Sequence, residues 1–403
     1  MKNTRAFIQK SIAISVFSLI AILAFAQTEG QKGDSGNPFG LSAEKVQWMK
    51  EATLKQLDGC RVKGAGGTWI HTPDGVGNYK ALWTRDYCYM VEYAGDLMDP
   101  NEIKASIYYL LNGQREDGCI PDRVNVAGQP VYSPGPPGKP MADNALDNGP
   151  FMAMLVCSYV NQYQDDEIFQ EVELKLRKGL DHTTVKESGL VYNNPKNPQC
   201  VYGFTDIVKK TGNLLFSSLL YYRANLEMYQ LCKKYECGNP AIYKRRYEYI
   251  RQSINKLWDE DNGMFWAADI DCKQVDIWGS AYAVEVGITN DEQTRRIALY
   301  LVEQYDETVL NGQIRHLTRS EGAWNNLFKP CEEGTYQNGA YWATPLAWVI
   351  PVYARYNPSF AKEMLEKVIS DFQENGINEC INDGYVKVPN FVVSATNVYA
   401  LTR

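Results

Sequence analysis

Apolar residues recur along this chain at spacings of three and four, and that pattern predicts helices. The stretches 43–57, 101–111, 150–162, 214–233, 241–257, 291–305, 343–356 and 360–374 each carry apolar positions at i, i+3, i+4 and i+7, as a helix burying one face does. Alternation with a period of two is almost absent and appears only in scraps such as 385–388. Between the helices a polar turn returns, at Glu116-Asp117-Gly118, Glu187-Ser188-Gly189, Asp261-Asn262-Gly263, Asn311-Gly312 and Asn382-Asp383-Gly384. Each holds a glycine able to take positive φ, and each is followed by a short extended piece. Most of these glycines stand about 70 residues apart, room for two helices and two loops of ordinary length. The chain therefore reads as helical hairpins in series whose longer loops emerge on one side.

The amino end departs from this pattern. Lys2, Arg5 and Lys10 flank or precede an apolar run over 12–25, and Ala24-Phe25-Ala26 has the small-x-small form of a signal peptidase site. The run is too short for a comfortable membrane span. Residues 1–26 are expected to be a signal peptide, 27–40 a flexible leader and 41–403 one domain, secreted or periplasmic and without a membrane span. No Pro/Ser-rich linker or charge block divides 41–403, which favours one large closed architecture over a string of small domains.

Charge and cysteine usage narrow the chemistry. A net charge of −7 argues against nucleic acid as a partner, since phosphate binding needs concentrated Lys and Arg. Lys209-Lys210 and Lys244-Arg245-Arg246 are expected on solvated helix faces. The ten cysteines include no C-x-x-C pair, and the three histidines, His71, His182 and His316, are far apart, so a zinc site is not expected. Most cysteines should be small core residues, with one or two bridges.

Polar and aromatic islands lie between the helices. Trp83-Thr84-Arg85-Asp86 puts a stacking surface, a fixed donor fork and an acceptor within four residues. Asp147-Asn148 stands just ahead of Pro150, where a helix should start, so capping competes with ligand contact there. The stretch 130–140, rich in proline, is too rigid for a helix and makes a long loop. Tyr202-Gly203-Phe204-Thr205-Asp206 leads to Thr211-Gly212 and Arg223-Ala224. Cys331-Glu332-Glu333-Gly334-Thr335-Tyr336-Gln337-Asn338-Gly339-Ala340-Tyr341-Trp342 gathers acids, amides and aromatics ahead of Pro345-Leu346-Ala347-Trp348. Asp276 and Arg315-His316 suit packing or capping better than ligand contact, and Trp266 and Trp324 suit either a cleft wall or the core.

In these islands the chain resembles the six-hairpin, (α/α)6-toroid glycosidases, most nearly the glucoamylases and the debranching-enzyme glucosidase domains. The resemblance implies an all-α double ring of six inner and six outer helices. It also implies an inverting hydrolase acting at the chain end of an oligosaccharide or polysaccharide, as a monomer, by a chemistry that would require neither metal nor organic cofactor. Trp83, Arg85 and Asp86 would orient the terminal sugar, with Asp147, Asn148, Asn338 and Trp342 as further sugar contacts. Asp206 would be the general acid, where glucoamylases carry a Glu and debranching enzymes an Asp. Glu332 or Glu333 would be the base, Glu333 favoured beside Gly334. Debranching enzymes place the base after the Asn-Gly, where this chain offers no carboxylate. Two other classes remain open: a lyase or phosphorylase on the same toroid, and a glycan-binding relative that has lost its acids.

Overall fold

The computed structural model describes residues 37–136 and 138–403; the expected signal peptide and most of the leader lie outside the described residues. Twelve helices alternate between two rings. The outer set is α1 (Ala43–Cys60), α3 (Pro100–Leu111), α5 (Asp166–His182), α7 (Pro240–Ser253), α9 (Asp291–Glu303) and α11 (Pro358–Asn375). The inner set is α2 (Thr84–Ala94), α4 (Asn148–Tyr163), α6 (Leu215–Lys234), α8 (Ile277–Glu285), α10 (Leu346–Tyr356) and α12 (Val392–Tyr399). Each inner helix packs on the next, and α12 returns to α2, closing the ring. The expected (α/α)6 toroid is the fold.

The two rings differ in how their helices begin. All six outer helices are capped by a side chain, from Ser42, Asp99, Asp165, Asn239, Asn290 and Asn357. Of the inner helices only α8 is, through Asp276; α2, α4, α6, α10 and α12 have no side-chain cap bond. Their first N–H groups are left for the loops above them. The inner helices also bury more of their circumference. In α4 every residue from Asn148 to Val160 is buried, as expected of a helix surrounded by others.

The connections are equally lopsided. Inner-to-outer links are short, at 95–99, 164–165, 235–239, 286–290 and 357, whereas the outer-to-inner loops run over 61–83, 112–147, 183–214, 254–276, 304–345 and 376–391. All the long loops therefore gather at the amino-terminal end of the inner ring. Gly118, Gly189, Gly263, Gly312 and Gly384 each sit in one of them with positive φ, as the turn pattern requires. The loops carry small antiparallel ladders. One joins β1 (Ala81–Trp83), β2 (Arg123–Asn125) and β3 (Pro130–Val131); another is the hairpin of β4 (Asn378–Asn382) and β5 (Tyr385–Pro389).

Aromatic rings fill the middle of the inner ring. Trp348 of α10 is fully buried. It stacks on Tyr89 of α2 at 5.8 Å and meets Phe216 of α6 and Tyr282 and Trp278 of α8 edge-on. Its indole N–H donates to the Trp278 carbonyl at 3.2 Å. The axis of the inner ring is thus plugged below the loop-bearing end, or mouth, of the toroid. Among the described residues no helix is long and apolar enough to cross a membrane.

Two expectations are corrected. The ten cysteines are all unpaired, every one buried except the half-buried Cys237 and Cys331; they act as small apolar residues, and no bridge joins them. Lys210 is not on a solvated helix face. It is buried, 3.3 Å from the Thr205 hydroxyl and 4.2 Å over the Trp324 ring, because the loop before α6 folds inward.

Trp348→Ala is expected to lower stability by about 3–5 kcal/mol, the usual cost of deleting a large core aromatic. The denaturant midpoint measures it, and an unchanged midpoint would place the indole outside the core.

Candidate active site

At the loop end of the inner ring a buried guanidinium organises three segments. Arg85, in the first turn of α2, is 3 % exposed. It pairs with Asp122 through Nη2 and with Asp147 through Nε, the latter at 3.4 Å. Asp122, fully buried, also takes Arg123 Nη1 at 2.7 Å. Asp147 precedes α4 but does not cap it. Its Oδ2 instead accepts the Gly203 N–H at 2.8 Å. Gly203 closes directly over Arg85: a Cβ there would overlap the guanidinium, so only glycine fits. Burying ions this deeply is costly unless each is paired, and two carboxylates around one arginine, with a second arginine behind, meet that demand.

Three residues beyond Gly203 stands Asp206, 7 % exposed. Burial raises its carboxyl to about 7; Arg85 and the Gln337 amide oppose the rise, while Asp122 and Asp147 add to it. Gln337 also ties the loop down, accepting the Ile207 N–H at 2.8 Å and donating to the Gly203 carbonyl at 3.1 Å.

A second carboxyl is buried at the same loop end, and it is not one of the expected glutamates. Glu379, on β4, is 3 % exposed. Burial likewise raises it to about 7, against Lys387 and the Tyr79 hydroxyl, with the charge of Asp206 adding to the rise. Tyr79 donates to Oε1 at 2.7 Å, and Oε2 has no hydrogen-bond partner. The loops that carry Asp206 and Glu379 feed α6 and α12, which stand opposite one another in the six-membered inner ring. Tyr336 lies within reach of both charges. Asp86 is also raised to about 7 by burial, with Arg85 opposing and Glu379 adding.

The expected site residues divide into two groups. Trp83, Arg85, Asp86, Asp147 and Asp206 come together at the mouth. Trp83 is half-buried, its Nε1 without a partner, its ring under Arg123 at 4.4 Å and edge-on to Tyr79 at 5.5 Å. The others bond within the protein. Asn148 Nδ2 donates to the carbonyls of Ile120 at 3.0 Å and Tyr132 at 3.3 Å. Asn338 links the Cys331 carbonyl to the Trp324 N–H. Trp342 is fully buried, its N–H on the Tyr336 carbonyl. Glu332 and Glu333 lie outside the core on a turn, where the Glu332 carbonyl accepts from Thr335 and the Glu333 carboxylate lies against Gly322. Asp276 caps α8, and Arg315 donates to the Gly322 carbonyl.

Sequence reasoning passed over Asp122, Tyr79, Lys387 and Glu379. Glu379 had a signal: one acid inside the apolar extended run Ile377-Asn378-Glu379-Cys380-Ile381, just before a turn already noted. Among the described residues no group of three or more His, Cys, Asp and Glu is placed to hold a metal ion.

No family model and no curated protein matches the chain. Solved structures do. A GH63 mannosylglycerate hydrolase from Thermus thermophilus, in complex with Tris, superposes with a TM-score of 0.65 at 16 % identity, over 88 % of this chain and 100 % of that one. A rhamnosidase from Klebsiella oxytoca with rhamnose bound gives 0.64 at 13 %, over 89 % and 64 %. A GH78 family rhamnosidase of Bacillus sp. GL1 gives 0.61 at 12 %, over 89 % and 34 %. At these identities the likeness establishes the six-hairpin toroid fold.

A carboxyl whose pKa is higher folded than unfolded stabilises the fold below its unfolded pKa, and that contribution disappears as pH rises through the folded value. For Asp206 the window runs from about 4 to about 7. Asp206→Asn should therefore gain stability relative to wild type as pH rises across it, followed by thermal melting at each pH. A pH-independent difference would contradict the burial of this carboxyl.

Proposed function

We propose that this chain is an exported glycoside hydrolase that inverts the anomeric centre and acts on chain ends. The observation that carries the proposal is the pair of buried carboxyls, Asp206 and Glu379, set into loops on opposite sides of one mouth. Glycoside hydrolysis needs one group to protonate the leaving oxygen and one to activate water. The solved structures that share the fold carry the names of mannosylglycerate hydrolase and rhamnosidase, which favours this chemistry over others the toroid could host.

The surroundings assign the roles. Burial favours the protonated form of Asp206, with Arg85 opposing and Asp122 and Asp147 adding to it, and we assign it as the acid. Glu379 has an ammonium and a phenol aimed at it, so it is the carboxylate that draws a proton from water. Glu379 thus takes the role expected of Glu333, which lies out on its turn. The proton on Asp206 passes to the glycosidic oxygen, the water attacks the opposite face, and its proton goes to Glu379. Arg85 and its two carboxylates hold the acid loop in place, while Trp83 and Asp86 face the terminal sugar. A mouth closed below by the aromatic plug supports action at an end rather than along a chain, and the amino-terminal segment supports export.

The test is release of sugar from a panel that includes mannosylglycerate, rhamnosides and α- and β-linked oligosaccharides. Wild type should release one sugar with inverted anomeric configuration, seen by proton NMR at early times. Asp206→Asn and Glu379→Gln should each lose about 10²–10⁴-fold, the usual contribution of a general acid or base, while still folding and melting cooperatively. Glu333→Gln should stay active. Loss in Glu333→Gln with activity kept in Glu379→Gln would return the base to the outer turn.

A further inference from the structure

The β4–β5 hairpin carries more than Glu379. Cys380 pairs with Lys387 and Asn378 with Pro389, so Glu379 stands across from Val388. In a regular ribbon Glu379 and Lys387 would project from opposite faces, since side chains alternate along each strand. Here they meet: Lys387 Nζ lies 3.6 Å from Glu379 Oε2, the oxygen without a hydrogen-bond partner. The break in alternation coincides with Val388, which has φ +40°, a left-handed conformation that β-branched residues rarely adopt. Tyr336, across from the hairpin, is also left-handed at φ +43°. The Lys387 ammonium sits 3.9 Å over its ring. Two strained residues thus bracket one lysine, and such strain gathers where structure serves function.

We propose that Lys387 is the positioning residue of the general base: seated on Tyr336, it orients Glu379 and favours its carboxylate form. This rests on the hydrolase proposed above. The groups facing Glu379 explain why such a residue is needed. Tyr79 comes from the segment before β1, Asp86 from α2, Asp206 from the loop before α6, Tyr336 from the loop before α10 and the Cys380 thiol from β4 itself. None of them brings a positive charge: Asp86 and Asp206 are acids, and the remainder are neutral. Among the described residues Lys387 supplies the cation that pairs with Glu379, its side chain 28 % exposed. Without it burial and the acidic neighbours would raise Glu379 with no cation to oppose them, and fewer molecules would hold the base as a carboxylate.

The experiment compares Lys387→Met and Lys387→Arg in the full chain, by the pH profile of kcat/KM on a substrate that wild type cleaves. Lys387→Met should move the acid limb up by about one pH unit or more, the effect of losing an opposite charge at this range. Activity on that limb should fall about tenfold, with KM little changed, and Lys387→Arg should restore the limb. Lys387→Gln carries the same comparison should the Met variant not fold. An unmoved limb, or an equal loss at every pH, overturns the role while leaving the hydrolase intact, provided Glu379→Gln is inactive. Full activity in Glu379→Gln overturns the base assignment and this role together, and a wild type that cleaves nothing overturns the hydrolase.

Discussion

The site depends on the burial of one guanidinium. Arg85 sits where water cannot reach it, and an unpaired charge there would cost more than the fold could bear. The answer is a set of mutual constraints. Asp122 comes from the loop after α3, Asp147 from the residue before α4, and Gly203 from the loop before α6. Three long-loop segments therefore converge on one side chain, and the last of them carries Asp206. Placing an ionisable group this deep demands a rigid frame, and the ion pairs supply it at a desolvation cost that apolar residues would avoid. The sacrifice in stability is what holds the carboxyl in position.

The toroid determines where such an arrangement can form. Short links on one end leave no material for a site, while six long loops at the other leave a great deal. That richer end is also where the inner helices begin, most of them without a side-chain cap. Their aligned peptide dipoles place partial positive charge at the mouth. Buried carboxylates are better tolerated there than at the opposite end of the ring. Opposition within the ring does the rest, since loops before α6 and α12 face each other across the axis.

Asp206 and Glu379 have similar burial and similar raised pKa values, and what separates them is their neighbours. Arg85 and two carboxylates, Asp122 and Asp147, surround the first, while an ammonium and a phenol face the second. The backbone outliers at Tyr336 and Val388 lie around that ammonium, so local strain and charge placement belong to one device.

Local chemistry in the chain determined the helices, the glycine turns and the side of the molecule on which the long loops emerge. Periodicity and positive-φ positions are properties of neighbours in sequence, and hairpins of one length leave few ways to close. The same local logic picked out Trp83, Arg85, Asp86 and Asp206, because each stands in a polar, aromatic island. It picked out Glu332 and Glu333 and passed over Glu379 for the same reason: the two glutamates have the richer local setting, and Glu379 sits in an apolar strand. Only the tertiary structure sets them apart, leaving Glu333 exposed and Glu379 buried. Burial, opposition across the ring and the approach of Lys387 to Glu379 arise from segments brought together by the fold. Lys210 and Asp147 repeat the point. A lysine pair reads as solvated, and an aspartate before a helix reads as a cap, until the chain turns one inward and the other onto Arg85.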